Sequence, residues 1–112
     1  MRIVATIPES LRSSLTWRMA EHARARWPQL DRVQTRFRAN FAYVDAIVAG
    51  QTVKLCRLRY LGMPNVWGFA IWSDSRADYE DSWLINDLPS GKAEDAVDTA
   101  CGRRLGHLRP RP

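Results

Sequence analysis

The chain has 112 residues and a net charge of +5, with 46% hydrophobic and 26% charged side chains. This length fits one domain core, and the five tryptophans and the aliphatic runs exclude an intrinsically disordered chain. No apolar run approaches the roughly 18 residues that a membrane-spanning helix needs, and the N-terminus lacks the pattern of a secretory signal.

The first long element is predicted to be a helix. Residues 2–6 (RIVAT) are compatible with a short leading strand, and Pro8 is tolerated in the first turn of a helix. Apolar residues then recur at the four-residue spacing of a helix face: Leu11, Leu15, Met19 and Ala23. Pro28 disfavours the helical conformation in the residue before it, so we expect the helix to end near Trp27.

Between residues 32 and 72 the hydrophobic pattern changes to a period of two residues. Four runs follow this pattern, at residues 32–38, 41–48, 53–61 and 66–72, and short turn sequences separate them. Runs joined by tight turns are typical of strands that pair with their neighbours in the chain. The sequence therefore predicts a four-stranded antiparallel meander.

An acidic connection is predicted after the fourth strand. Residues 73–90 (SDSRADYEDSWLINDLPS) are mostly polar and carry several carboxylates. The apolar residues Trp83, Leu84 and Ile85 interrupt this composition. We expect them to pack back onto the core, because large apolar side chains are favoured in buried positions.

A second helix is predicted over about residues 91–105, with Ser90 as its cap. Its apolar face consists of small and medium-sized residues: Ala93, Ala96, Val97, Ala100, Cys101 and Leu105. Gly106 favours the left-handed conformation that ends many helices. The basic segment 106–112 is predicted to be a disordered tail.

Together these elements predict an α+β fold with the order α-β-β-β-β-α, in a single domain over residues 1–105. Each helix carries one apolar stripe, so both helices are expected to pack on one face of the sheet. Cys56 and Cys101 lie in apolar patterns, which is typical of buried, reduced thiols in a cytoplasmic protein.

Four segments together resemble a family of short, uncharacterised actinobacterial proteins: RWPQLDRVQTRFRANFAYVDA, LCRLRYLGMPNVWGFAIW, YEDS and AEDAVDTACGRRLG. They fall within residues 26–106. The family resembled ends with more apolar residues where this chain has Arg103 and Arg104. The resemblance implies no activity, cofactor or catalytic residue.

The sequence offers little support for catalytic or metal chemistry. A calcium loop beginning at Asp74 would need glycine at position 79 and glutamate at position 85, where the chain has Tyr79 and Ile85. For the acidic stretch 74–81, an irregular Mg²⁺ site and a solvated loop both remain open. The two histidines and two cysteines lack metal-ligand spacing, so we expect no catalytic residue, metal site or cofactor.

The alternation of the strands predicts a basic and aromatic face on the sheet. One consistent assignment turns six residues toward the core: Phe37, Val44, Cys56, Leu58, Phe69 and Ile71. The outer face then carries Arg36, Arg38, Tyr43, Arg57, Arg59 and Trp72. A shift of the register by one residue would invert this assignment.

Charge is distributed unevenly along the chain. Residues 1–60 carry 11 basic and 4 acidic side chains, and residues 61–102 carry 2 basic and 8 acidic ones. Residues 103–112 add four arginines and no acid. The basic part is suited to attract phosphate backbones or an acidic partner, and it is equally suited to pair with the acidic part of the same fold.

Three hypotheses for the function follow. The first is a binding module that contacts DNA or RNA through the arginines and aromatic rings of the outer face, where bases stack and phosphates pair. The second is a homodimeric or protein-interaction accessory protein, whose basic and acidic halves match a partner or each other. For the outer face itself, neutralisation by Asp45 and the acidic connection, or burial in a homodimer, also remains open. The third is a small ribonuclease of the toxin type, for which no clear acid or base residue is evident.

Overall fold

The computed structural model describes residues 6–111, so the strand suggested for residues 2–6 lies, apart from Thr6, outside the described part. The described residues form two helices and six strands. Their order is α1 (Glu9–Arg26), β1 (Arg32–Arg38), β2 (Phe41–Val48), β3 (Gln51–Met63), β4 (Val66–Ser73), β5 (Asp78–Asp81), β6 (Ser90–Gly91) and α2 (Ala93–Arg104). The predicted α+β class and the order of the long elements are confirmed.

The strands form one antiparallel sheet in the order β1-β2-β3-β4-β5, with β6 also paired to β4. Strands β1 to β4 are the predicted meander, and β5 and β6 extend it. The turn between β2 and β3 places Ala49 and Gly50 at φ values of 50° and 78°. Two successive residues with positive φ are typical of the tight turns that match the twist of paired strands.

Both helices pack on one face of the sheet, as the apolar stripes predict. On α1 the buried residues Leu15, Met19 and Ala23 are four positions apart, and on α2 the buried face is mostly alanine with Val97 and Cys101. They share one core cluster with inward-facing strand residues such as Val44 and Leu58. The opposite face of the sheet is left uncovered by the helices.

Two details of the connection before α2 differ from the predictions. Ser90 does not cap the helix: it lies in β6 opposite Gly68, and Lys92 is the residue that precedes α2. Of the three apolar residues expected to pack inward, only Leu84 is buried, while Trp83 is 58% and Ile85 74% exposed.

The segment after α2, for which the composition favours disorder, lies against α1 and its following turn. The backbone N–H of Arg111 donates a hydrogen bond to the carbonyl of Arg26, and the side-chain amide of Gln29 donates one to the carbonyl of Arg109. Leu108 packs against the core. Within residues 6–111 no helix is long and apolar enough to cross a lipid bilayer.

Candidate nucleic-acid interface

The uncovered face of the sheet collects basic and aromatic side chains from several strands. Two rows of directly paired residues cross β1, β2 and β3: Arg36–Tyr43–Arg57 and Arg38–Phe41–Arg59. Residues directly opposite each other on antiparallel strands point to the same side of the sheet. The arginines of β1 and β3 therefore flank the two rings of β2.

Trp72 joins this face from β4. Ala70 is paired with Arg57, and Trp72 follows two residues later on the same strand, so it points to the same side. Tyr79 on β5 is paired with Trp72. The fold thus brings together all six residues of the predicted outer face and adds Phe41 and Tyr79 to them.

Guanidinium groups lie against the rings of this face. The Cζ atom of Arg57 is 4.6 Å from the ring centroid of Phe41 and 5.6 Å from that of Tyr79. The Cζ atom of Arg36 is 5.6 Å from the ring centroid of Tyr43. A cation within about 6 Å of a ring centroid is attracted by the ring quadrupole, so these interactions restrict the arginine rotamers.

Lys54 reaches the same face through an irregularity in β3. Simple alternation would send it to the helix side, because it is three residues from Arg57. The register shifts between Val44 and Asp45 of β2, which leaves one extra residue in β3 at this point. Lys54 is consequently paired with Asp45, and its Nζ atom lies 4.2 Å from the ring centroid of Trp72.

The four rings on this face form a continuous row. Ring centroids are 6.2 Å apart for Phe41 and Tyr43, 5.5 Å for Tyr43 and Tyr79, and 5.1 Å for Tyr79 and Trp72. Since β5 is three strands away from β2, the Tyr79 side chain leans across the sheet to reach Tyr43. We call the following residues the cation–aromatic face: Arg36, Arg38, Phe41, Tyr43, Lys54, Arg57, Arg59, Trp72 and Tyr79.

A buried carboxylate lies beneath the cation–aromatic face. Asp45 is 2% exposed, and Nε of Arg36 donates a hydrogen bond of 3.2 Å to its Oδ2 atom. Its Oδ1 atom is buried and has no hydrogen-bond partner among the described residues. Burial, followed by the nearby Asp45 charge, raises the pKa of the Tyr79 phenol. Tyr79 is therefore neutral at physiological pH and can donate a hydrogen bond.

Two carboxylates of the acidic connection after β4 bind arginines outside the cation–aromatic face. Asp74 accepts hydrogen bonds from Nη1 of Arg104 at 2.7 Å and from Nε1 of Trp72 at 2.9 Å. The hydrogen bond from Arg104 is the main reason that the pKa of Asp74 is lowered. Glu80 pairs with Arg76 at 3.1 Å. These two acids are thus neutralised by arginines outside the cation–aromatic face.

Most cations of the face consequently lack a compensating acid. Among residues 6–111, no ion pair involves Arg38, Lys54, Arg57 or Arg59. Arg36 is the exception, since it is paired with Asp45. The strands leave a concentrated positive charge on one open surface.

The surface of the face is not flat. A groove of about 500 Å³ is bordered by residues that include Arg36, Arg38 and Lys54. A smaller pocket of about 230 Å³ lies where β3 and β4 meet the segment after β5. We call it the Gly68 pocket, and its lining includes Phe41, Arg57, Arg59, Gly68, Ala70 and Asp81.

The groups most often used in catalysis are engaged elsewhere or inaccessible. Cys56 and Cys101 are unbonded, as the sequence predicts, and buried. Burial raises the pKa of both thiols, that of Cys101 to about 12. His22 lies between the helices, with its Nε2 atom 2.8 Å from Oδ1 of Asp98. Within the described ranges of the chain, no three acidic, histidine or cysteine side chains cluster as metal ligands.

Comparison of the chain with family models, curated proteins and solved structures finds no match. The resemblance to short actinobacterial proteins therefore stays a prediction. The functional argument rests on the geometry and charge of the cation–aromatic face.

Sequence reasoning missed three members of this face for different reasons. Phe41 has the same parity as Tyr43 on β2, so the alternation contained the signal that would have found it. Tyr79 lies on β5, a four-residue strand that is too short to show a period. Lys54 is placed by the bulge, which the sequence pattern does not reveal.

Proposed function

We propose that the protein binds nucleic acid through the cation–aromatic face. The observation that carries this proposal is a group of arginines that have no acid partner among the described residues and lie beside a row of rings on an open sheet: Arg38, Arg57 and Arg59. A surface with concentrated positive charge attracts the phosphate backbone, and release of counterions drives binding.

The stacked arrangement suits this ligand in two ways. A guanidinium group that lies against a ring, as Arg57 does against Phe41, keeps N–H groups at its edge available for phosphate oxygens. Tyr43 and Trp72 add ring surface on which bases of a single strand can stack. Phosphate pairing and base stacking are both sequence-tolerant, so we expect binding with little base preference over most of the face.

The positions of the acidic side chains favour the proposal over the alternative that the acidic connection of the same chain neutralises the face. If the acidic connection served to neutralise the face, its carboxylates would pair with the β1 and β3 arginines. Asp74 instead binds Arg104, and Glu80 binds Arg76. Asp81 lines the Gly68 pocket with Arg57 and Arg59, but within residues 6–111 it forms no ion pair with either of them. In the described part of the chain, Arg36 is the one cation of the face that forms an ion pair, and its partner is Asp45.

A second candidate function is association with a protein partner or a second copy of the chain. The observation in its favour is a group of exposed apolar side chains in the connection after β5: Trp83, Ile85 and Leu88 are 58%, 74% and 53% exposed. Such groups often mark interaction sites. A molar mass measured by light scattering, with and without Trp83→Ser, tests for self-association through this group.

The proposal places the protein in the cytoplasm and includes no catalytic step. Free, buried thiols are typical of a reducing compartment. A ribonuclease would need an acid–base pair at the RNA, and His22 is engaged by Asp98 between the helices.

The decisive experiment removes two arginines from the face. Arg57→Ala/Arg59→Ala should weaken binding to DNA and RNA strands that contain no guanine by a similar factor, whatever their sequence. The slope of log affinity against log salt should fall by about one unit for each phosphate that is no longer bound. Fluorescence anisotropy titrations at several salt concentrations measure both quantities, and a gel of the recovered RNA reports any cleavage.

A matched variant controls for net charge. Arg24→Ala/Arg109→Ala removes the same two charges from exposed side chains that lie outside the face. It should bind nearly as well as the wild type. If the wild type binds neither DNA nor RNA at low salt, the proposal is wrong and the partner-protein function takes precedence.

A further inference from the structure

The Gly68 pocket is small and lies directly on the cation–aromatic face. Its volume of about 230 Å³ is below the range of roughly 300–1,000 Å³ that is common for sites of drug-sized ligands. A single planar ring system fits this space, whereas a base pair does not. The volume of the pocket therefore matches an occupant of the size of one nucleobase.

The pocket has room at its floor because β4 carries small residues at two positions that point to the same side of the sheet. Gly68 is paired with Arg59 and Ala70 with Arg57. A Cβ atom at Gly68 would lie 3.3 Å from Nε of Arg59, which is tighter than an ordinary contact. Glycine thus lets the Arg59 side chain lie close over the sheet, where it and Arg57 both line the pocket.

The lining of the pocket offers opposite hydrogen-bonding groups. Arg57 and Arg59 supply donors only, and the Asp81 carboxylate supplies acceptors only. In the part of the chain that the structure describes, none of the three takes part in an ion pair. A matching occupant presents acceptors along one edge and adjacent N–H donors along another, beside the Phe41 ring.

Guanine meets these conditions better than the other bases. Its N1–H and N2–H groups form two parallel donors for one carboxylate, while O6 and N7 are the acceptors that arginine binds most often. Adenine and cytosine have only one such donor group on the pairing edge. In a duplex the pairing edge of guanine is occupied, so the base must be unpaired to use the carboxylate.

We propose that the Gly68 pocket receives one unpaired guanine of a single strand, with Asp81 at its N1–H and N2–H edge and Arg57 or Arg59 at its acceptor edge. This inference rests on the proposed function, because the neighbouring phosphates are held by the same face. The pocket would select the base at one position of the strand, whereas the rest of the face binds nucleic acid with little base preference.

The test compares oligothymidylates of about ten nucleotides that differ in one central base. The wild type should bind the strand with a central guanine about tenfold more tightly than the all-thymine strand. A strand with central hypoxanthine, which lacks the 2-amino group, should fall between them. Asp81→Asn should abolish the guanine preference while the affinity for the all-thymine strand is kept or rises, because a negative charge is removed.

Two further variants complete the test. Asp78→Asn makes the same charge change on the same strand at a position that alternates to the other side, and it should keep the preference. Ala70→Leu fills the pocket without a charge change and should abolish the preference. Circular dichroism checks whether the Ala70→Leu variant is folded. If the Ala70→Leu variant is misfolded, the result for Asp81→Asn decides the test.

Each outcome separates this inference from the proposed function. Equal wild-type binding of the guanine and all-thymine strands overturns the pocket assignment but leaves nucleic-acid binding intact. A preference that survives Asp81→Asn also overturns the assignment. If the wild type binds neither strand, the pocket assignment and the proposed function both fail.

Discussion

Tyr43 lies in the middle of the ring row, between Phe41 and Tyr79, and Arg36 lies against its ring. Tyr43→Ala removes stacking surface without changing the charge. If a base stacks there, the variant should bind a single strand more weakly by about 1–3 kcal/mol, with little change in the salt slope. Anisotropy titrations at several salt concentrations measure both values.

Two variants control this residue-scale prediction. Tyr43→Phe keeps the ring and should bind like the wild type. Trp17→Ala removes a larger ring that is 66% exposed on α1, away from the face, and should also leave binding unchanged. Unchanged binding by Tyr43→Ala, with the fold intact, would show that bases do not stack on this ring.

At the scale of elements, the long strands could be predicted because their side chains alternate between two different environments. The register pairs Arg36, Tyr43 and Arg57 on the open side, while Val44 and Leu58 alternate with them toward the helices. Alternation alone therefore predicts most members of the face. It fails at Lys54, since a bulge depends on how two strands fit together and leaves no periodic signal.

The short elements could not be predicted, for a different reason. Strands β5 and β6 contain four and two residues, so they exist through their pairing with β4 and not through a local pattern. The burial of Leu84 also depends on a contact between distant elements. Leu84 packs close to Gly91, where an added Cβ atom would lie 2.8 Å from the Leu84 side chain. Nothing local distinguishes Leu84 from Trp83 or Ile85.

The two helices are joined by an ion pair that makes stability depend on pH. Nη2 and Nε of Arg18 donate hydrogen bonds of 2.8 and 3.0 Å to the two carboxylate oxygens of Glu94. Burial alone would raise the pKa of Glu94, but the hydrogen bonds from Arg18, a backbone hydrogen bond and the nearby charges of Arg18 and His22 together lower the pKa below its ordinary value of 4.5. Glu94 is therefore predicted to stabilise the fold as a charged group.

A carboxyl group with a lowered pKa stabilises the folded state fully above its unfolded pKa, and this contribution is lost as the pH falls through its folded pKa. Glu94→Gln should thus lower the free energy of unfolding by about 1 kcal/mol at neutral pH and have a smaller effect below pH 4.5. Urea unfolding over this pH range measures the difference.

The double variant Arg18→Gln/Glu94→Gln is the control for this pair. If the two side chains stabilise the fold through each other, the double variant should cost less than the sum of the single variants. Strictly additive costs, or a Glu94→Gln effect that does not depend on pH, would contradict the assignment.

At the scale of the whole molecule, the acidic connection forms hydrogen bonds with the arginines of α2, and within residues 6–111 none of its carboxylates forms an ion pair with an arginine of the sheet face. Arg104 binds Asp74, and Arg103 donates hydrogen bonds to the Ser82 hydroxyl and to the Trp83 carbonyl. The basic C-terminal part of the chain is thereby used inside the fold. The basic strands stay available, which explains how a modest net charge coexists with a strongly positive face.

This arrangement makes Arg104 important for binding without being part of the face. Asp74 accepts a hydrogen bond from Trp72, so without Arg104 its charge would stand uncompensated at the edge of the face. Arg104→Gln should weaken nucleic-acid binding about twofold at low salt, and Arg104→Gln/Asp74→Asn should restore it. Anisotropy titrations against one strand compare the variants.

A control variant on α1 distinguishes this local effect from the effect of net charge. There Arg24 forms an ion pair with Glu21 outside the face. Arg24→Gln lowers the net charge by the same unit as Arg104→Gln and exposes a carboxylate in the same way. If position matters, Arg24→Gln should leave binding nearly unchanged. If the two single variants weaken binding equally, nucleic acid responds to the total charge of the molecule, and the special role of the cation–aromatic face would be refuted.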